Sequence, residues 1–189
     1  MALRAVCFDV GETLVDEERW WRRLADRRGL QPHVVWAALG VTIARGEEHT
    51  ALWGHLGIDE PTGWYEEEPY SLDDLYADAL DCLRRTRALG LRTGIVGNQT
   101  AALEAWAREA ALPADVISSS ASLGVRKPEP EFYEIACRLL EVEPADCVFL
   151  DDLGVNLKPA RAMGMTTIKV EEPRVALAKL ERVLGLVLT

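Results

Sequence analysis

Positive charge is scarce in this sequence. Its 189 residues carry 21 Lys and Arg against 31 Asp and Glu, a formal net charge of −10 with a pI near 4.8. A surface this acidic repels phosphate backbones, so no nucleic-acid partner is expected. A small anionic substrate stays open, because a few local cations decide its binding. Cysteine is also sparse. Cys7, Cys82, Cys137 and Cys147 are far apart and form no C-x-x-C pair, the pattern of reduced thiols in a cytosol. Long apolar runs are missing too. No stretch approaches roughly 18 consecutive apolar residues, so neither a membrane span nor a membrane partner is expected. Met1-Ala2-Leu3-Arg4 runs straight into a strand pattern without the layout of a signal peptide. The expectation is a soluble, cytoplasmic globular protein. With 49% hydrophobic residues, it can bury a core of its own.

What is present is an alternation. Short β-rich apolar runs occur at Leu3–Phe8, Leu91–Val96, Asp115–Ser118, Cys147–Leu150 and Thr166–Val170. Helical spacing fills the intervals at Gln99–Ala110, Glu129–Leu140 and Gly154–Met163, and continues at Pro173–Leu184. Strands alternating with helices predict an α/β fold, a parallel sheet flanked by helices on both faces. One interval breaks the rule. Residues 16–86 hold several helical patterns and no convincing strand, which predicts a helical insertion directly after the first strand. Its clearest pattern starts at Ser71 with Asp74 as a capping-box pair, followed by the apolar stripe Leu72, Leu75, Tyr76, Ala79, Leu80 and Leu83. Five of the six tryptophans fall in this interval (Trp20, Trp21, Trp36, Trp53 and Trp64), as do all three histidines. These aromatics either build a small core for the insertion or line a pocket. The domain division expected is therefore 1–15 with 87–189 as the sheet domain and 16–86 as the insertion.

Ligands in a parallel α/β sheet bind outside the carboxyl ends of the strands. The residues there are Asp9 after the first run, Gly97 and Asn98 after the second, and Asp151 and Asp152 after the fourth. Past the third lies the loop Gly124-Val125-Arg126-Lys127-Pro128. Three carboxylates and one lysine thus converge on one rim. Clustered carboxylates repel and titrate upward unless a cation joins them, and carboxylate oxygens suit Mg²⁺. Taken singly, each has a plainer use. An Asp after a strand serves as a turn or helix cap, paired acids complement a helix dipole, and a loop lysine is a solvated charge. The joint arrangement favours a site.

The segments Phe8-Asp9-Val10-Gly11-Glu12-Thr13-Leu14, Ile95-Val96-Gly97-Asn98, Lys127-Pro128-Glu129-Pro130-Glu131-Phe132 and Val148-Phe149-Leu150-Asp151-Asp152-Leu153-Gly154-Val155-Asn156 resemble the four motifs of the haloacid dehalogenase-like hydrolases. Four such segments in order, spread over essentially the whole chain, form a highly specific pattern. The last, continued to Gly164-Met165, is similar to the phosphatase-like domain of soluble epoxide hydrolases. The resemblance implies a Rossmann-like core and a small α-helical cap at 16–86. It implies Asp9 as the nucleophile that forms an aspartyl-phosphate, with Lys127 neutralising the nucleophile and the transferring phosphoryl group. Gly97, Asn98 and Lys127 fall at the phosphoryl-binding positions. Mg²⁺ would be held by Asp9, the carbonyl of Gly11 and Asp152, with Asp151 direct or through water.

Two positions depart from the family's phosphatases. Their second Asp, the general acid and base, is replaced by Gly11. Their Ser or Thr hydroxyl in the second motif is replaced by Gly97. Glu12 is one residue out of register for the acid's role. The expected function is Mg²⁺-dependent hydrolysis of a small phosphorylated substrate, a phosphate monoester. A catalytically weak or inactive binding protein is the alternative, and a 2-haloacid dehalogenase a further one. That branch lacks the second Asp but uses no metal, and Asp151-Asp152 speaks against it. A phosphonate-cleaving enzyme would need a cap lysine. Lys127, Lys158, Lys169 and Lys179 all lie outside the insertion. The arginines Arg19, Arg22, Arg23, Arg27 and Arg28 either attract an anionic leaving group or form a solvated helix face.

Overall fold

A computed structural model describes residues 3–64 and 68–185. Five parallel strands form one sheet: β1 (Ala5–Phe8), β2 (Arg92–Gly97), β3 (Val116–Ser119), β4 (Cys147–Asp151) and β5 (Thr166–Lys169). Their order is β3-β2-β1-β4-β5. The apolar runs of β1 and β4 have no polar alternation because both faces of these strands are buried. Phe8 pairs with Ile95 on one side and Leu150 on the other, which fixes the register of the three central strands. Every strand run read from the sequence is present, shifted by a residue or two at its ends.

Contacts divide the chain into two compact units, 1–16 with 71–189, and 17–70. In the larger unit the helices are α4 (Ala79–Ala88), α5 (Ala101–Glu109), α6 (Ser120–Leu123), α7 (Pro130–Leu140), α8 (Gly154–Ala162) and α9 (Pro173–Leu184). Ala5, Cys7, Cys147 and Phe149 point to one face of the sheet, where they pack with Phe132, Tyr133, Ala136 and Leu140 of α7 and Leu157 and Ala160 of α8. Their neighbours in sequence, Val6, Phe8, Val148 and Leu150, point to the other face and are equally buried. All four cysteines are buried free thiols. No helix among the described residues is long and apolar enough to cross a membrane.

The smaller unit contains α1 (Glu17–Arg27), α2 (Pro32–Arg45) and α3 (Ala51–His55). Its tryptophans make its own core. Trp20, Trp21, Trp53 and Trp64 are each at most 3% exposed, and Trp20 stacks on Tyr70 with centroids 4.8 Å apart. Glu68 pairs with Arg23 at 2.6 Å and Arg27 at 2.7 Å. Two of the five clustered arginines therefore fasten this unit together, and Arg22 pairs with Glu18 along α1.

The helix expected from Ser71 onward is broken in two. Ser71 and Asp74 do form the capping box, with the Ser71 N–H donating to Asp74 Oδ2 at 2.9 Å, but it starts only a single 3₁₀ turn. Leu75 is extended, with ψ of 142°, because the backbone finds partners in the segment after β1. Tyr76 N–H donates to the Leu14 carbonyl at 2.9 Å, and Asp16 N–H to the Asp74 carbonyl at 2.7 Å. Helix α4 begins after this pairing, and the contacts place residues 71–86 with the sheet. The insertion is correspondingly shorter than the expected 16–86.

Candidate active site

The chain runs outward from β1 through β2 to β3, then returns to the far side of β1 for β4 and β5. The strand order reverses between β1 and β4, where an open α/β sheet leaves a crevice at its carboxyl edge. Asp9 follows β1 there, and its N–H donates to the Leu150 carbonyl at 2.9 Å. Asp151 ends β4 and Asp152 follows it. One oxygen from each of Asp9, Asp151 and Asp152 lies within 4.8 Å of the other two.

Lys127 answers this charge. Its Nζ lies 2.6 Å from Asp9 Oδ1 and 2.6 Å from Asp151 Oδ2, with its side chain 1% exposed. The loop carrying it is clamped by Asn98, whose Nδ2 donates to the Lys127 carbonyl at 2.9 Å while its Oδ1 accepts the Lys127 N–H at 2.8 Å. The Asn98 side chain thus holds the lysine loop. The clamp takes one of the two Nδ2 hydrogens, so it is compatible with the phosphoryl contact expected of Asn98.

Asp151 is held from several directions. Its Oδ1 accepts from Leu153 N–H at 2.8 Å and from Asn156 Nδ2 at 3.0 Å. Its Oδ2 accepts from Lys127 and from Asn156 at 3.1 Å. The Asn156 carbonyl in turn accepts from the Tyr133 hydroxyl. With its lone pairs so used, Asp151 aims Lys127, and Asp152 is the freer oxygen donor of the pair. The sequence reading missed Asn156 as a site residue. Its sequence signal is an amide between Val155 and Leu157, five positions after Asp151, and the structure shows it buried in the first turn of α8.

Gly97 has a steric reason. A Cβ there would stand 2.9 Å from Asp9 Oδ1 and 3.1 Å from Val10 Cγ2. The Asp9 carboxylate occupies the space a serine or threonine side chain would enter. Gly11 lies in the loop that follows Asp9 and forms a β-bridge with Val15.

The charge balance sets the direction in which each group's pKa moves. Burial, then the Asp151 carboxylate, push Asp9 well above the ordinary carboxyl range despite Lys127. Burial pushes Asp152 up to about 6, with Asp151 beside it adding to the shift. For Lys127, burial would lower the ammonium, but Asp9 and Asp151 outweigh it and hold the proton more tightly than usual. Three carboxylates around one ammonium leave a negative surplus, which either protons or a cation must neutralise.

A model of the haloacid dehalogenase-like hydrolase family matches residues 3–164. The chain belongs to the haloacid dehalogenase-like hydrolases. Among similar proteins, bifunctional epoxide hydrolase 2 of Rattus norvegicus is 48% identical over 71 residues, 38% of this chain and 13% of the relative. Phosphatase MT3486 of Mycobacterium tuberculosis is 33% identical over 100 residues, 51% of this chain and 46% of the relative. The chain thus spans less than half the length of either relative. A solved HAD phosphatase from Thermococcus onnurineus superposes with a TM-score of 0.71 at 20% identity, covering 97% of this chain and 98% of that one. At that identity the superposition establishes the α/β fold alone.

Proposed function

We propose that this hydrolase cleaves small phosphate monoesters through an aspartyl-phosphate on Asp9, with Mg²⁺ as cofactor. The observation that carries the reading is the pairing of a buried lysine with Asp9 in a cluster that still has surplus negative charge. Three carboxylates offering hard oxygen donors within 4.8 Å fit a Mg²⁺-type ion. Asp9, the Gly11 carbonyl and Asp152 would hold it, with Asp151 behind them. Bound there, it would supply positive charge opposite the substrate's phosphoryl oxygens. The same third carboxylate counts against a metal-free dehalogenase.

Asp9 attacks phosphorus, and the P–O bond to the alcohol breaks with its electron pair leaving on oxygen. Lys127 favours the ionised form of Asp9, a bound cation would supply the rest of the charge that form needs, and the ammonium balances charge in the transition state. Asp151 and Asn156 aim the lysine, while Asn98 fixes its loop. Gly11 supplies no proton to the departing oxygen. Because a positioned acid or base contributes about 10²–10⁴ in rate, aryl phosphates should react far faster than alkyl phosphates. Hydrolysis of the intermediate is slowed as well, so a burst of one equivalent of aryl alcohol precedes a slow steady state. Gly11→Asp should raise the steady-state rate and shrink the burst. A chain that binds phosphate with Mg²⁺ but gives neither burst nor turnover is instead a binding protein, the reading that Gly11 favours.

A further inference from the structure

Glu12 adopts the left-handed backbone conformation, with φ of 51°, where a side chain is disfavoured. Such strain persists only where the surroundings impose it, and it gathers at functional sites. Here the surroundings are plain. Glu12 N–H donates to the Val15 carbonyl at 2.9 Å, and the Tyr76 hydroxyl donates to Glu12 Oε2 at 2.7 Å. Tyr76 is anchored by its own N–H on Leu14 and follows the Val15–Leu75 bridge. Two chain segments separated by some 60 residues thus hold one carboxylate beside the nucleophile's loop. It stands three positions after Asp9 in the loop that leaves β1, outside the tight group of Asp9, Asp151 and Asp152.

Resting on the assignment of Asp9 as nucleophile, we propose that Glu12, braced by Tyr76, positions the water that hydrolyses the aspartyl-phosphate. The water oxygen attacks phosphorus, and the P–O bond to Asp9 breaks with its electron pair returning to the carboxylate. The water's proton passes to a phosphoryl oxygen, so the product is dihydrogen phosphate. Glu12 accepts a hydrogen bond from the water and keeps its own protonation state throughout. Orienting a nucleophilic water requires only a well-placed acceptor, as the glutamine of small GTPases shows. This role suits a carboxylate that is out of register for protonating the leaving group.

The test is rapid-quench kinetics on p-nitrophenyl phosphate with Mg²⁺, following both the burst and the decay of the phosphoenzyme after a chase. Glu12→Gly accepts the left-handed backbone but removes the acceptor. It should leave the burst rate intact, slow phosphoenzyme decay about tenfold or more, the worth of one hydrogen bond, and leave the melting temperature no lower. Tyr76→Phe should slow decay in the same direction by less. Glu12→Gln keeps an oxygen acceptor and should decay close to the parent rate. Parent-like decay in Glu12→Gly, or Glu12→Gln as slow as Glu12→Gly, would overturn the assignment while leaving Asp9 as nucleophile. A protein that forms no phosphoenzyme at all overturns both readings together.

Discussion

The Cα of Gly97 lies so close to the Asp9 carboxylate that a Cβ added to it would meet Asp9 Oδ1 at 2.9 Å. The two residues share one space, and Lys127 holds the carboxylate in it. Restoring the hydroxyl that phosphatases of the family carry at this position should therefore not restore activity. Gly97→Ser must displace either Asp9 or Val10, and kcat should fall about tenfold or more, as expected for misplaced reacting groups. Steady-state kinetics on an aryl phosphate checks this, and an increase in kcat would show that the carboxylate yields freely.

Lys127→Met should cost more than activity. The lysine is the counter-charge for two buried carboxylates, and removing one partner of a buried ion pair costs about 3–5 kcal/mol. Urea denaturation should show that loss in metal-free protein. Mg²⁺ should recover part of it, because the cation supplies positive charge to the same carboxylates.

The acidic cluster sets a pH dependence. Asp152 in the folded protein titrates near 6, above its unfolded value. A raised carboxyl pKa stabilises the fold below the unfolded pKa, and this contribution is lost as pH rises through about 6. In metal-free protein, Asp152→Asn should therefore raise the melting temperature at pH 7.5 relative to the parent and give little gain at pH 4. Mg²⁺ affinity has the opposite slope, since the ion requires the deprotonated carboxylate. Calorimetric titration should show binding weakening as pH falls through 6.

Thr13 offers a stabilising change. Its Oγ1 is buried with no hydrogen-bond partner, beside a small space lined by Phe8, Leu14, Leu150 and Val170. Thr13→Val replaces the unpaired hydroxyl with a methyl of similar shape and should gain about 1 kcal/mol, read from the denaturation midpoint.

The sheet and the site's charged residues were legible in the sequence for one reason. Strands buried on both faces read as unbroken apolar runs, and Asp9, Asp151 and Asp152 end or follow those runs, while Lys127 was legible only through its Lys-Pro motif in the loop beyond the third. What was not legible depended on contacts between distant segments. The Ser71–Asp74 box is a true local signal, yet pairing of Leu75 and Tyr76 with residues 14–15 ends the helix that it starts. The Tyr76–Glu12 bond spans 64 positions, and no periodicity encodes it. The place of Asn98 after β2 was legible, but its clamp on the Lys127 backbone required the folded loop. The glycine at 97 read as a loss of function until its distance to Asp9 gave it a reason.

The central claim is that Asp9 carries the phosphoryl group between substrate and water. Acid-quenched intact-mass measurement during turnover of p-nitrophenyl phosphate with Mg²⁺ tests it most directly. One phosphoryl adduct should appear, map to the peptide containing Asp9, and vanish both in Asp9→Asn and when EDTA removes the metal. Turnover without any adduct, or turnover undiminished in Asp9→Asn, would contradict the account.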